Sequence, residues 1–212
     1  MRIRKVNSYR FMSFSYPLHI PAAFLIFLSI LILLQPGCRR KYTPKPRGYF
    51  RIDLPEKEYQ LYDQECPYSF EYPVYGKLIP DDDYLSEPCW LNIEFPNYKG
   101  KIHLSYKTVS GNIGTLLEDS HTLAYKHTIK AQAINETLFL NEEKKVFGVM
   151  YDITGDAASA VQFFVTDSLN HYLRGSLYFN LQPNSDSLAP VISFFREDMI
   201  HLVETLQWKE AN

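Results

Sequence analysis

The sequence lacks the residue patterns that mark common catalytic and cofactor sites. It contains no Gly-x-Ser-x-Gly nucleophile elbow, no glycine loop suited to cradling a phosphate and no Cys-x-x-Cys pair. Its six histidines never recur at the three- or four-residue spacing that sets two metal ligands on one helix face. We therefore expect a protein that is not an enzyme, with no catalytic residue, no metal ligand and no cofactor.

Acidic residues are absent from the first 21 positions, which carry four basic ones. An uncharged apolar stretch of 13 residues follows, from Ala22 to Leu34. A basic start, a short apolar run and small residues before a cleavage site are typical of a secretory signal peptide. The run is shorter than the roughly 20 residues that a membrane-spanning helix needs, which disfavours a retained transmembrane helix.

Cys38 follows this leader directly, because the apolar run ends in Leu-Gln-Pro-Gly-Cys. A cysteine just after the cleavage site distinguishes a bacterial lipoprotein signal, and we expect Cys38 to be the acylated first residue of the mature chain. Gln35 stands where an aliphatic residue is usual, and Pro36 is not a typical neighbour. The alternative is a plain signal anchor with a chance cysteine. Two or three acyl chains would hold the protein on a membrane stably, whereas one chain binds only marginally.

A basic, proline-punctuated stretch follows the cysteine from Arg39 to Arg47. Prolines favour an extended, semi-rigid chain, so this stretch predicts a tether, and its charge suits anionic headgroups. We divide the chain into a signal peptide (1–37), a tether (38–48) and a single domain (49–212). Without the basic leader, the balance of 22 basic and 24 acidic residues becomes more acidic, which argues against a nucleic-acid partner.

Two further cysteines, Cys66 and Cys89, remain in a chain that we expect to be exported. Oxidising compartments favour disulfides, so the pair suggests one bond that closes a loop of roughly 24 residues. Such a bond would stabilise the fold by about 3 kcal/mol on the chain-entropy model. The alternative is two independent buried thiols.

The domain is rich in aromatic residues, with 16 Tyr and 14 Phe, which favour strands. Alternation of apolar and polar residues, or a continuous apolar run, predicts strands in seven stretches. These are Tyr49–Pro55 and Tyr68–Leu78 as edge strands, the hairpin of Leu91–Phe95 and Ile102–Lys107, the central strand Val146–Tyr151, and the meander completed by Val161–Val165 and Leu173–Leu181.

Two segments have helical periodicity. Asn112 is a plausible cap for the first, whose stripe is Ile113, Leu116, Leu117, Ser120, Leu123, Ala124 and His127. Pro190 begins the second, whose stripe is Ile192, Phe195, Met199, Leu202, Val203 and Leu206. Both helices must bury their stripes, so we predict an α+β fold, a mostly antiparallel sheet of about five to six strands with two packed helices. The order of elements is similar to the Mog1/PsbP-like arrangement.

Polar residues that could carry chemistry have simpler explanations. His127 falls on the buried stripe of its helix, where a core histidine is more common than a metal ligand. His201 points away from its helix's stripe and is expected to be solvated. The run Asp81–Asp83 lacks the alternating spacing and glycine turn of a calcium loop, so a solvated charge run is expected.

Asp152 and Asp156 could form a carboxylate pair at the end of a strand. They flank Ile-Thr-Gly, and turns favour Asp and Gly for conformational reasons, so a turn is the simpler explanation. Ser120 or Ser159 could be combined with a histidine and an aspartate into a triad, but any chain of this size permits that.

Six stretches together resemble the gliding motility lipoprotein GldD family of Bacteroidota. They are Pro-Lys-Pro-Arg-Gly-Tyr-Phe-Arg (44–51), Cys-Trp-Leu-Asn-Ile-Glu-Phe-Pro (89–96), Leu-Ala-Tyr-Lys-His-Thr (123–128), Gly-Asp-Ala-Ala-Ser (155–159), Phe-Phe-Val-Thr-Asp-Ser (163–168) and His-Tyr-Leu-Arg-Gly-Ser-Leu-Tyr-Phe (171–179). The resemblance implies a role in gliding motility and the allied type IX secretion machinery. The acylated cysteine of the family maps to Cys38, and no catalytic motif is carried over.

We therefore expect a non-catalytic envelope lipoprotein whose partners are the membrane, through acyl chains on Cys38, and other gliding or secretion proteins. The residues after Cys38 are basic rather than acidic, so we expect the domain to face the periplasm. The outer membrane is favoured, with the cytoplasmic membrane as the alternative. A second hypothesis is a periplasmic module that binds a small ligand or cell-wall fragment in an aromatic pocket. A third, an envelope hydrolase, requires a converging nucleophile, base and orienting group.

Overall fold

The computed structural model describes residues 21, 23, 24, 26, 27, 52–181 and 185–209. The chain divides into two compact units, Met1–Arg47 and Gly48–Asn212. In the first unit, the described residues 23, 24, 26 and 27 are helical and exposed. Cys38 and the tether lie outside the described residues, so their roles stay predictions. Among the described helices, none combines the length and apolar character that crossing a bilayer requires.

The described residues of the second unit form ten strands and two α-helices. The strands are β1 (Tyr59–Tyr62), β2 (Tyr68–Pro73), β3 (Lys77–Pro80), β4 (Leu91–Phe95), β5 (Gly100–Thr108), β6 (Ala131–Asn141), β7 (Val146–Gly155), β8 (Ser159–Thr166), β9 (His171–Phe179) and β10 (Gln207–Trp208). The helices are α1 (Ile113–Tyr125) and α2 (Ser185–Thr205). Short 3-10 helices cover Pro96–Tyr98 and Lys126–Ile129.

All strand pairs are antiparallel. The main sheet has seven strands in the order β3-β4-β5-β9-β8-β7-β6, and a small sheet has the order β1-β2-β10. The α+β class, with antiparallel sheets and two helices, is confirmed, and so are the β4–β5 hairpin and the β7–β8–β9 meander. The strand count is larger than expected.

Helix α2 packs against one face of the main sheet, which we call the α2 face. The predicted stripe of α2 supplies the buried Phe195, Met199 and Leu202. Phe195 stacks on Phe95 of β4 with ring centroids 4.1 Å apart. Apolar residues from five strands complete this core: Ile93, Ile102, Leu104, Met150, Val161, Phe163, Val165, Leu173 and Leu177. Burying these side chains supplies most of the driving force for folding.

The opposite face, the α1 face, carries α1 over a smaller apolar cluster. Leu116 and Ala124 of the helix are buried with Tyr151, Phe164 and Tyr172 of the sheet. The predicted stripe is only partly correct, because Leu123 is 37% exposed. The remaining residues on this face of β4, β5 and β9 are mostly polar.

Strand β6 was not predicted, and it accounts for part of the larger strand count. It forms one edge of the main sheet and pairs only with β7. Leu138 and Leu140 are 66% and 75% exposed, so the strand has little of the apolar-in, polar-out alternation that reveals a half-buried strand. Its order comes from backbone pairing along ten positions of β7.

Two local predictions were wrong, and the Asn112 cap is confirmed in position but not in its side-chain bond. Residues 52–55 of the predicted strand Tyr49–Pro55 have no regular structure, and the first strand is β1. Asn112 stands at the cap position of α1, but its side chain accepts a hydrogen bond from the Ser110 N–H and makes no cap bond. Helix α2 begins at Ser185, and Pro190 lies inside it, although proline cannot donate the bond to the carbonyl four residues back.

The segment before β1 is held to α2 by one buried carboxylate. Asp198 is 1% exposed, and Lys57 Nζ lies 2.7 Å from its Oδ1. The hydroxyls of Tyr59 and Tyr75 donate to the same carboxylate at distances of 2.7–3.0 Å. Burial and the contact with Asp198 raise the pKa of both tyrosines, so they remain neutral donors. This cluster joins the part of the chain nearest the tether to the core.

Candidate functional site

The predicted cysteine pair lies beside the small sheet. The structure bonds Cys66 to Cys89, whose Cα atoms are 5.5 Å apart. Tyr62 donates a hydrogen bond to the Cys66 sulfur, and Tyr68 donates one to the Cys89 carbonyl at 2.6 Å. Oxidation of the two thiols in the exported protein stays a prediction. Intact mass after alkylation without reductant would test it, since two free thiols would add two alkyl groups.

The serines weighed for a triad do not contact histidines. Ser120 Oγ bonds to the Tyr172 hydroxyl on the α1 face, and Ser159 Oγ donates to the Val161 carbonyl. Asp152 binds Arg196 of α2 through both carboxylate oxygens, at 2.6 and 2.8 Å. Asp152 therefore has a structural ion pair on the α2 face.

The two histidines singled out in the sequence behave differently from expectation. The ring of His201 is not simply solvated: its Nε2 lies 2.7 Å from Glu71 Oε2, and it stacks on Tyr59 at 3.6 Å. His127 lies on the 3-10 helix after α1 and is only half-buried. Burial and the nearby charge of Arg174 lower the pKa of His127. His127 and Arg174 are therefore close to each other, near the polar part of the α1 face.

Four polar side chains form a continuous row across this face of the main sheet. Strand pairing sets Asn92 opposite His103, His103 opposite Ser176, and Ser176 opposite Gln162. Residues directly opposite on antiparallel strands point to the same face, about 4.5–5.5 Å apart at Cβ. We call these four residues the polar row.

The β4 end of the polar row is linked to the acidic loop after β3. His103 Nδ1 lies 2.9 Å from Asn92 Oδ1, and Asn92 Nδ2 donates to Asp81 Oδ1 at 2.8 Å. Ser86 Oγ donates to the other Asp81 oxygen. Burial disfavours the charge of Asp81, but these hydrogen bonds hold its pKa below the usual value. The aspartate is thus an ordered part of the fold rather than a solvated charge.

The central end of the polar row lies beside Arg174, two residues from Ser176 on β9. Arg174 Nη2 donates to Gln162 Oε1 at 2.7 Å. Gln162 is 2% exposed and Ser176 is fully buried, yet the Gln162 amide nitrogen and the Ser176 hydroxyl have no partner in the described part of the chain. Within residues 52–181 and 185–209, no carboxylate forms an ion pair with Arg174.

The sequence pattern places these residues on the polar side of their strands but does not bring them together. Asn92, His103 and Ser176 alternate with apolar neighbours, which predicts solvent exposure, whereas Asn92 and Ser176 are buried. Their grouping depends on the order β4-β5-β9-β8, which joins strands far apart in the chain. The stretches 89–96, 123–128 and 171–179, which resemble the family named in the sequence analysis, each contribute to this region. That resemblance was the one indication in the sequence that these residues belong together.

A second concave feature lies beside the cysteine pair. A groove of about 860 Å³ is lined by three aromatic residues, Tyr62, Tyr72 and Trp90. Its wall also includes β3 and both cysteines, and its polar residues are Gln64 and Glu65. Grooves with aromatic walls and few polar groups are typical of small-molecule sites.

No group of three or more His, Cys, Asp or Glu side chains suited to a metal ion occurs among the described residues. The polar row contains one histidine and no acid. It offers hydrogen-bond donors, and the adjacent Arg174 adds positive charge, rather than the ligands of a divalent cation.

Comparison with known proteins gives a matching family and solved structures of similar fold. The family model described as gliding motility lipoprotein GldD matches residues 39–208. No curated protein matches the chain. Among solved structures, the solution structure of cyanobacterial PsbP (CyanoP) from Synechocystis sp. PCC 6803 is similar, with a TM-score of 0.45 and 10% identity. The match covers 77% of this chain and 99% of that one.

Proposed function

Since the chain belongs to the gliding motility lipoprotein GldD family, we propose that it is a lipid-anchored, non-catalytic component of the gliding motility and type IX secretion machinery. The observation that carries this proposal is the family match over residues 39–208, which begins directly after Cys38. The basic leader, the short apolar run and the cysteine at its end support the same reading.

The anchor supplies the location of the protein in this proposal. Acyl chains such as palmitate on Cys38 hold the domain on the membrane, and the tether sets it off the surface. The basic residues after Cys38 favour the periplasmic side, with the outer membrane preferred over the cytoplasmic membrane. Intact mass of the protein from native membranes tests the anchor. Cleavage before residue 38 plus two or three acyl chains is expected, and an uncleaved or unmodified chain would contradict it.

The absence of a catalytic role is supported by how the candidate nucleophiles are used. Ser120 and Ser159 bond to Tyr172 and to a backbone carbonyl, respectively. Ser86 donates to Asp81 rather than to a histidine. A nucleophile needs a base within hydrogen-bond reach. Ser120 and Ser159 have none, and Ser86 contacts only the Asp81 carboxylate, whose lowered pKa makes it a weak base.

The interaction role is tested by photocrosslinking in living cells. A photoreactive residue replaces Leu85, Ile129 or Leu140, which are 75%, 92% and 75% exposed, so that no core packing is disturbed. Mass spectrometry of the adducts should identify other gliding or secretion proteins. The same three variants kept in the dark provide the matched control and should give no adduct. Recovery of the protein without adducts from all three exposed positions would contradict the proposal.

The groove beside the cysteine pair supports a second candidate function, the binding of a small ligand or cell-wall fragment. Trp90 lines this groove, so its fluorescence reports on occupancy. In a Trp208→Phe variant, Trp90 is the remaining tryptophan of the two in the chain. Titration with purified peptidoglycan fragments should give a saturable change if the groove binds them. An unchanged spectrum would remove this candidate.

A further inference from the structure

Hydrogen-bond donors without acceptors converge on the α1 face between β9 and β8. The Gln162 amide nitrogen and the Ser176 hydroxyl are buried and unpartnered, and their residues are directly opposite across the two strands. A buried donor without a partner costs about 1–3 kcal/mol, so natural structures rarely leave two of them side by side without a reason. Arg174 lies next to both, because it bonds to Gln162 and stands two residues from Ser176.

Both cations and carboxylates lie near the polar row, since Asp81 and Asp83 oppose Lys101 and Arg174 at His103. The charges of Arg174 and Lys101 both act on His103, and that of Arg174 also acts on His127. Asp81, the carboxylate that neighbours the polar row, already accepts hydrogen bonds from Ser86 and Asn92. The guanidinium therefore lacks a counterion within the described part of the chain, and this favours an external anion.

We propose that Arg174, Gln162 and Ser176 form a binding site for a phosphate group. A guanidinium offers planar paired donors that match phosphate oxygens. The Gln162 amide and the Ser176 hydroxyl add donors from two neighbouring strands. Three neighbouring donor groups on two paired strands suit a tetrahedral oxyanion, which presents acceptors in several directions. Arg174, His103 and His127 are only half-buried, so the ligand reaches the buried donors from their side.

The site is independent of the proposed role in motility, since it follows from the polar row alone. The phosphate has two chemical sources, free inorganic phosphate and the headgroup of a phospholipid. A lipid-anchored domain lies close to headgroups, and both sources offer the same oxygens to the three donors. The experiment therefore uses one probe for each source.

The test titrates the full lipoprotein in non-ionic detergent with inorganic phosphate or with a soluble short-chain phosphatidylglycerol, at constant ionic strength. A ligand that binds only the folded state raises its melting temperature in a concentration-dependent way. We expect a saturable rise with at least one probe and none with chloride. Response to phosphate alone identifies the free anion, and response to phosphatidylglycerol alone identifies the headgroup. No response to either probe overturns the proposal.

Two variants separate this site from general salt effects. Gln162→Glu keeps the acceptor for Arg174 but replaces the free donor with a negative charge, so the phosphate response should disappear. Gln132→Glu adds the same charge at an exposed position of β6 and should leave the response unchanged. Ser176→Ala should weaken phosphate binding about tenfold or more, since a hydrogen bond to a charged group is worth about 1.5–3 kcal/mol. Equal responses in all three variants would overturn the proposal.

Discussion

The two faces of the main sheet are built from alternate residues of the same strands, yet they differ in composition and in packing. The α2 face is apolar from β4 to β7 and buries aromatic rings such as Phe95, Phe163 and Phe195. The α1 face is apolar only under α1 and carries the polar row on its other half. The α2 face thus supplies most of the apolar burial that stabilises the domain. The other face holds buried polar groups whose hydrogen bonds must be satisfied, which is the usual character of a binding surface rather than of a core.

The largest expected effect comes from removing an aromatic ring from the α2 face. Phe195→Ala should lower the free energy of unfolding by about 3–5 kcal/mol, because a large cavity opens in a fully buried cluster. Leu116→Ala, on the buried side of α1, should cost about 2 kcal/mol, at the low end for core truncations. Urea denaturation measures both. A larger loss of unfolding free energy for Leu116→Ala than for Phe195→Ala would contradict the expectation that the α2 face contributes more to stability.

The next effect comes from Asp198, the carboxylate that binds the segment before β1 to α2. Asp198→Ala should cost about 3 kcal/mol, because it leaves Lys57 and two tyrosine hydroxyls without their shared partner. Asp198→Asn serves as the control, since it keeps an acceptor for the tyrosines but removes the charge, and it should cost less. Equal losses in urea denaturation would show that the ion pair alone matters.

The histidines make stability depend on pH, mainly through the α1 face. Burial lowers the pKa of His103, His127 and His171 below the unfolded value of 6.5. Between their folded values and 6.5 the unfolded chain binds more protons, so the free energy of unfolding should rise with pH in that window. Asp81 and Asp167 have lowered pKa values, so their protonation should reduce the free energy of unfolding only below about pH 3.8. A flat profile just below pH 6.5 would contradict this assignment.

The smallest effect distinguishes two buried serines on the α1 face. Ser120→Ala should cost about 1 kcal/mol, because it removes a hydrogen bond to the Tyr172 hydroxyl. Ser176→Ala removes a hydroxyl without a described partner and should be neutral within about 0.5 kcal/mol, or slightly stabilising, in phosphate-free buffer. Urea denaturation of both variants checks the difference. A cost for Ser176→Ala equal to that of Ser120→Ala would mean that its hydroxyl is already bonded.

The parts of the fold that could be predicted are those in which local periodicity decides the structure. The stripe of α2 and the β4–β5 hairpin are examples, because burial of one face enforces a regular apolar spacing. Strand β6 could not be predicted, since its exposed Leu138 and Leu140 give no inward-facing pattern. Its structure depends on pairing with β7 rather than on its own residues.

The candidate site was less predictable than the fold for a related reason. Arg174 and Ser176 occupy polar positions of an alternating strand, which predicts that they face solvent. Gln162 occupies such a position on β8. The predicted meander makes β8 and β9 neighbours, but the pattern alone does not fix the register that sets Gln162 opposite Ser176, nor does it indicate that both residues are buried. Contacts between residues distant in sequence are not encoded in a local pattern, so His201 and its contact with Glu71 were missed in the same way.

The central claim is that this protein acts in gliding as a lipid-anchored component, and gliding itself is the most direct measurement. Cells whose only copy carries Cys38→Ala are compared by microscopy with cells carrying the unchanged protein, at equal protein levels. The account predicts that gliding is lost or severely slowed in the variant, because the folded domain no longer stays on its membrane. Normal gliding speed in cells with the unacylated protein would contradict the account.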